Sequence, residues 1–143
     1  MRYWDSSAIV PLCLSEPHSA RLRSLAEADE DIFTWWGSRL ECISALARRR
    51  REGVLGADAE AKARAILSAM ATEWSEIQPT EAVRLRAERL LMVHPLRAAD
   101  GLQLAAALVW AEESPQGLEV VCLDGRLREA ASKEGFTVLP FMG

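Results

Sequence analysis

Two rhythms of apolar residues alternate along the chain. Short unbroken apolar runs read as strands, and longer stretches with apolar residues three and four apart read as helices. "MRYW" is a short aromatic strand that gives way to a helix near Asp5, in "DSSAIVPLCL". "DIFTWW" is a second strand, closed by Gly37. "SRLECISALARRRREG" follows as a helix, with Ser38 as its N-cap and Gly53 as its stop. "ADAEAKARAILSAMATEW" is amphipathic, "SEIQPT" is a short weak strand, and "TEAVRLRAERLLMV" is a helix broken by His94-Pro95. From Ala98 to Ala111 the chain is apolar almost all round, the mark of a central buried helix. "LEVVCLD" is the clearest strand, "GRLREAASKEG" a helix ending at Gly135, and "FTVLPF" the last strand.

Alternating short strands and helices predict an α/β domain, one unit over residues 1–143. Its centre is a parallel sheet of about four to five strands with helices on both faces. The run Val120-Val121-Cys122-Leu123 suits a strand covered on both sides. Ligands of such sheets lie beyond the carboxyl ends of the strands.

Composition narrows the class. The chain has 143 residues, 50% hydrophobic and 27% charged, with a formal net charge of −4. This is the profile of a soluble globular domain that buries its own core. An acidic balance does not suit a general nucleic-acid coat, though it leaves room for a local basic patch. The three cysteines Cys13, Cys42 and Cys122 lie far apart in apolar surroundings and read as buried thiols in a reducing compartment. The first apolar run is interrupted by Asp5 and the longest, Leu104 to Ala111, is too short to span a bilayer, so a cytoplasmic protein is expected.

One position conflicts with this pattern. Asp100 lies four residues before Leu104 and eight before Leu108, on a stripe that should face the core. An ionised acid there is costly unless something compensates it. Three more acids fall at comparable places. Asp5 ends the first strand, Asp124 ends the fourth, and Glu41 lies in the first turn of the helix after the second. In a parallel sheet these points share one rim.

Each acid also has a local explanation. Ser38-Arg39-Leu40-Glu41 reads as an S-x-x-E capping box, Asp124 as an N-cap, Asp100 as a complement to a helix dipole, and Asp5 as a cap on the turn at Ser6 and Ser7. Taken together they need more, because a helix terminus supplies only about half a positive charge. A divalent cation answers the repulsion. Carboxylate oxygens with a nearby hydroxyl, and only His18 and His94 as histidines, favour Mg²⁺ or Mn²⁺ over zinc. The fitting chemistry is phosphodiester hydrolysis, in which a metal polarises a phosphate oxygen and activates a water.

"YWDSSAIV", "SRLECISAL", "HPLRAADGLQLAAAL" and "VVCLDGRLREAASKEGFTVL" resemble, in order and spacing, the PIN-domain ribonucleases, and especially the VapC-type toxins of bacterial toxin–antitoxin pairs. The resemblance covers essentially the whole chain. It implies a metal-dependent endoribonuclease that leaves a 5′ phosphate. It also implies an acidic quartet of Asp5, Glu41, Asp100 and Asp124, with Ser7 as the supporting hydroxyl. Asp5, Asp100 and Asp124 would be the metal positions, and Glu41 would orient a water. A homodimer and a cognate antitoxin are further implications.

Four of the 17 basic residues, Arg48 to Arg51, close the Glu41 helix, where they serve its dipole or contact phosphate. Arg39 and Arg97 precede Glu41 and Asp100, and either steadies a phosphate or pairs with an acid. Trp4, Trp35 and Trp36 suit core or interface better than base stacking. Two alternatives stand beside the nuclease. An aspartate-based phosphotransfer or phosphatase enzyme needs D-x-D or a suitably placed lysine, but Asp5 precedes Ser6-Ser7 and the only lysines are Lys62 and Lys133. A non-catalytic binding module of the same fold would lose nothing when its acids are neutralised.

Overall fold

Tyr3 and Trp4 point to opposite sides of one strand, and both layers of the molecule are built on that alternation. The computed structural model describes residues 1–142. Strand β1 (Arg2–Trp4) pairs in parallel with β2 (Ile32–Trp35) on one side and β4 (Glu119–Val121) on the other. Strand β3 (Ser75–Ile77) adds to β2 and β5 (Thr137–Leu139) adds to β4, giving a parallel sheet of order β3-β2-β1-β4-β5. The expected α/β architecture is therefore present, with five strands.

Tyr3, Trp35 and Val120 face one layer, formed by α5 (Glu81–Val93), α6 (Ala98–Trp110) and α7 (Gly125–Glu134). Trp4, Val121 and Leu139 face the other. It is formed by α1 (Ser6–Ile9) with a 3₁₀ turn at Val10–Leu12, then α2 (Ser19–Glu27), α3 (Ser38–Arg51) and α4 (Ala57–Glu73). Helix α6 is the most deeply buried, with Leu104 to Leu108 all in the core. Leu104 packs in the cluster that holds Tyr3, Val120 and Leu127, so Leu104→Ala opens a cavity beneath the sheet. A loss of about 2–5 kcal/mol is expected in urea denaturation; a loss below ~1 kcal/mol would mean that α6 is not the keystone of this layer.

Two local expectations need correction, and one helix was not expected. "DSSAIVPLCL" is not one helix: Pro11 lacks an amide hydrogen, and α1 passes into the 3₁₀ turn at that point. Helix α2 escaped the pattern, because its N-cap His18 makes no side-chain cap and its buried positions are only Ser19 and Leu22. Ser38 is not the N-cap of α3. Gly37 holds that place, and the Ser38 hydroxyl turns back to accept the Trp35 N–H at 3.2 Å.

Strand order reverses between β1 and β4: the chain moves outward through β2 and β3 on one side and through β5 on the other. Loops leave the carboxyl ends of β1 and β4 in opposite directions, opening the crevice where α/β sheets place their sites.

Candidate active site

Asp5 begins where β1 stops, with its own N–H donated to the Val121 carbonyl at 2.9 Å. Its side chain caps α1 by accepting the Ser7 N–H at 3.1 Å. The Ser7 hydroxyl donates to the same carboxylate and accepts the N–H groups of Leu123 at 2.9 Å and Asp124 at 3.3 Å. One hydroxyl thus ties the end of β1 to the loop after β4 and sets the spacing of Asp5 from Asp124. Asp124 caps α7 by accepting the Arg126 N–H at 3.1 Å. Asp100 stands in the first turn of α6, where Arg97, its N-cap, lends a backbone hydrogen bond and a nearby charge.

Glu41 resolves differently from a capping box. Its Oε1 accepts from the Ser6 hydroxyl at 2.9 Å and from the Gln103 amide at 3.2 Å, so it is drawn toward α1 and α6. The four acids converge on one cavity of about 500 Å³, which Ser6 and Ser7 also line and whose rim carries Arg48 and Arg49. Arg49 is held there by Glu16, at 3.0 Å.

Electrostatics in this cavity run against ionisation. Burial raises the Asp5 pKa, the Asp100 charge adds to the rise, and the bonds from Ser7 partly offset it. Burial and then Asp124 raise that of Asp100, while the Glu41 carboxyl is pushed up to about 7 by burial and by Asp5 and Asp100. Among the described residues no Lys, Arg or His side chain forms an ion pair with any of the four. The donor set is carboxylate and hydroxyl oxygen with no ion-pair partner, which fits Mg²⁺ or Mn²⁺. Among the described residues no three His, Cys, Asp or Glu side chains close into a cage of their own. An ion facing these acids would keep several of its waters, as Mg²⁺ does.

The chain aligns over almost its full length with three solved structures. VapC20 of Mycobacterium tuberculosis, a sarcin-ricin loop cleaving toxin, matches with a TM-score of 0.68 and 18% identity, over 96% of this chain and 97% of its own. FitAcB from Neisseria gonorrhoeae matches at 0.64 and 17%, over 98% and 97%. A toxin-antitoxin complex from Klebsiella pneumoniae matches at 0.61 and 15%, over 87% of each chain. The fold is PIN-like. No protein-family model matches the chain, and no curated protein matches it.

The other candidates separate. Arg48 and Arg49 reach the rim. Arg39 does not line the cavity, and its guanidinium lies 3.4 Å from the Ser68 hydroxyl on α4. Arg97 lies beside Asp100 but outside the lining. Trp4 and Trp35 are core residues, and Trp36 is 55% exposed. His94 ends α5 and pairs with Glu134 of α7 at 2.6 Å, a helix-end partner outside the cavity lining. All three cysteines are buried and free, with their thiols held protonated by burial. Sequence reasoning missed Gln103 and Glu16. The signal for Gln103 was present: a lone amide in an apolar helix, three residues after Asp100.

Proposed function

We propose that this protein is a Mg²⁺- or Mn²⁺-dependent endoribonuclease acting as the toxin of a type II toxin–antitoxin pair. The observation that supports this most is the meeting of Asp5, Glu41, Asp100 and Asp124 around one cavity, with no ion pair to any of them among the described residues. The shared fold adds weight, since VapC20 is a sarcin-ricin loop cleaving toxin. Asp5, Asp100 and Asp124 would hold the metal, which when bound polarises a phosphate oxygen and lowers the pKa of a water. Ser7 holds Asp5 at a fixed distance from the Asp124 loop. Glu41, with its pKa near 7, is matched to take a proton from an attacking water and orient it. Arg48 and Arg49 receive the phosphate backbone beside the acids, so a chain with net charge −4 still presents a local positive rim to RNA.

The Klebsiella neighbour comes from a toxin-antitoxin complex, which supports a protein partner here. The exposed apolar side chains of Trp36, Leu40 and Met92 offer surface for an antitoxin or for a second copy in a homodimer. No helix among the described residues is long and apolar enough to cross a membrane, in keeping with a cytoplasmic nuclease.

The direct test is incubation of purified protein with structured and unstructured RNAs, with Mg²⁺, Mn²⁺ or a chelator, and end-group analysis of the products. Metal-dependent fragments with 5′ phosphates are expected, and intact RNA under every condition removes the reading. Rim charges give a second check. Arg48→Ala should raise KM about 3- to 10-fold and flatten its salt dependence, because a lost phosphate contact weakens binding uniformly. Arg39→Ala should change KM by less than about twofold, since Arg39 lies outside the cavity. Equal effects of the two would place the RNA on another path.

A further inference from the structure

Gln103 is 1% exposed and sits in the most apolar helix of the chain. A leucine there would satisfy packing without the demands of a buried amide. Its partners are specific. The Tyr3 hydroxyl donates to Gln103 Oε1 at 2.7 Å, and Nε2 donates to Ser38 Oγ at 2.9 Å and to Glu41 Oε1 at 3.2 Å. Residues of β1, α6 and α3 therefore meet at one side chain.

Chemistry dictates which way the amide lies. An ionised Glu41 only accepts, so the amide nitrogen must face it, since a flipped amide would set two acceptor oxygens together. Tyr3 secures the opposite end. It is 1% exposed, and among the described residues Gln103 is the only hydrogen-bond partner of its hydroxyl, so the phenol proton is satisfied only when the amide oxygen faces it. Ser38 has its own orientation fixed by the Trp35 N–H. The outcome at Glu41 is asymmetric. Oε1 is held by Ser6 and Gln103, while among the described residues no protein group donates to Oε2.

We propose that Gln103 is the positioning residue of Glu41, gripping one carboxylate oxygen so that the other is presented to the cavity, with Tyr3 setting the sense of the amide. This rests on the nuclease reading of the site. Gln103 touches neither substrate nor metal in this scheme and acts through Glu41. The hydrogen bonds also favour the ionised carboxylate, which is the form able to accept a proton from water.

The test combines kinetics with a readout that needs no catalysis. Gln103→Leu should lower kcat on a model RNA about 10- to 100-fold, the loss of one hydrogen bond to a charged group, with KM within about twofold. Tyr3→Phe should lower kcat about 3- to 10-fold, because the amide is no longer locked. The double variant should be no slower than Gln103→Leu, since both act through one contact, and Gln103→Leu should add nothing to Glu41→Gln. Multiplying losses, or kcat unchanged in both single variants, would overturn the proposal. Circular dichroism and thermal melts confirm that each variant is folded. In ¹⁵N-labelled metal-free protein, the two Gln103 side-chain amide protons should be resolved and slowly exchanging. Tyr3→Phe should broaden both and Glu41→Gln should shift one. Amide signals indifferent to both substitutions would also overturn it. If the wild type cuts no RNA, the nuclease reading falls by itself and the amide signals decide whether Gln103 positions Glu41.

Discussion

Asp5→Asn and Asp100→Asn should each reduce metal-dependent RNA cleavage by about 10³-fold or more while the protein stays folded. Asparagine keeps the shape of aspartate and one acceptor oxygen. At position 5 it can still accept the N–H and hydroxyl of Ser7 that hold β1 to the β4 loop. What it lacks is charge. Burial and like-charge neighbours oppose ionisation at both positions, so neutralising either acid should leave the metal-free protein as stable as the wild type or more so. Loss of cleavage with an unchanged or raised Tm would separate a catalytic role from a structural one. Full cleavage by both variants would discard the nuclease. Cleavage absent in the wild type as well, with the acids only stabilising the fold, would favour the binding-module alternative.

The second large effect is on stability as pH and metal vary. Glu41 has its pKa raised from an ordinary 4.5 to about 7, and those of Asp5 and Asp100 are raised too. A carboxyl whose pKa is higher folded than unfolded binds its proton more tightly in the native state. Its contribution is therefore fully present below the unfolded value and is lost as pH rises through the folded one. For Glu41 that window runs from about 4.5 to about 7. With one pKa unit worth about 1.4 kcal/mol, and allowing for partial exposure, the loss is on the order of 2–3 kcal/mol. In thermal melts with a chelator, the protein should be less stable at pH 8 than at pH 5. Millimolar Mg²⁺ or Mn²⁺ should restore Tm at pH 8 and do less at pH 5, where Glu41 holds its proton and the raised proton affinity of Asp5 and Asp100 competes with the cation. Asp5→Asn should flatten both dependences. Equal response to metal at both pH values would mean that the ion binds elsewhere.

The acids were legible because each occupies a position that local rules also favour. Asp5 and Asp124 cap helices, and Asp100 sits in a first turn, so ordinary capping chemistry places them at the carboxyl rim of a parallel sheet. At these three residues the local explanation holds and leaves room for the proposed one. Glu41 departs from that rule, because the amide it would have capped belongs to a helix whose true N-cap is Gly37. With no local partner to hold it, its carboxylate reaches Ser6 and Gln103, which lie far away in sequence.

Periodicity and spacing determined the alternation of strands and helices, the buried character of α6 and the presence of four acids where strands or loops pass into helices. Those features depend on neighbours a few residues apart, and short-range sterics and burial patterns carry that information. Strand order, the reversal between β1 and β4, and the convergence of Tyr3, Gln103, Ser38 and Glu41 were decided only when the two layers packed on the sheet. So was the separation of Arg48, on the cavity rim, from Arg39, against α4. The reason is physical: a buried amide or an arginine takes its partner from whatever donor or acceptor packing brings within about 3 Å, and no local pattern encodes which one that is.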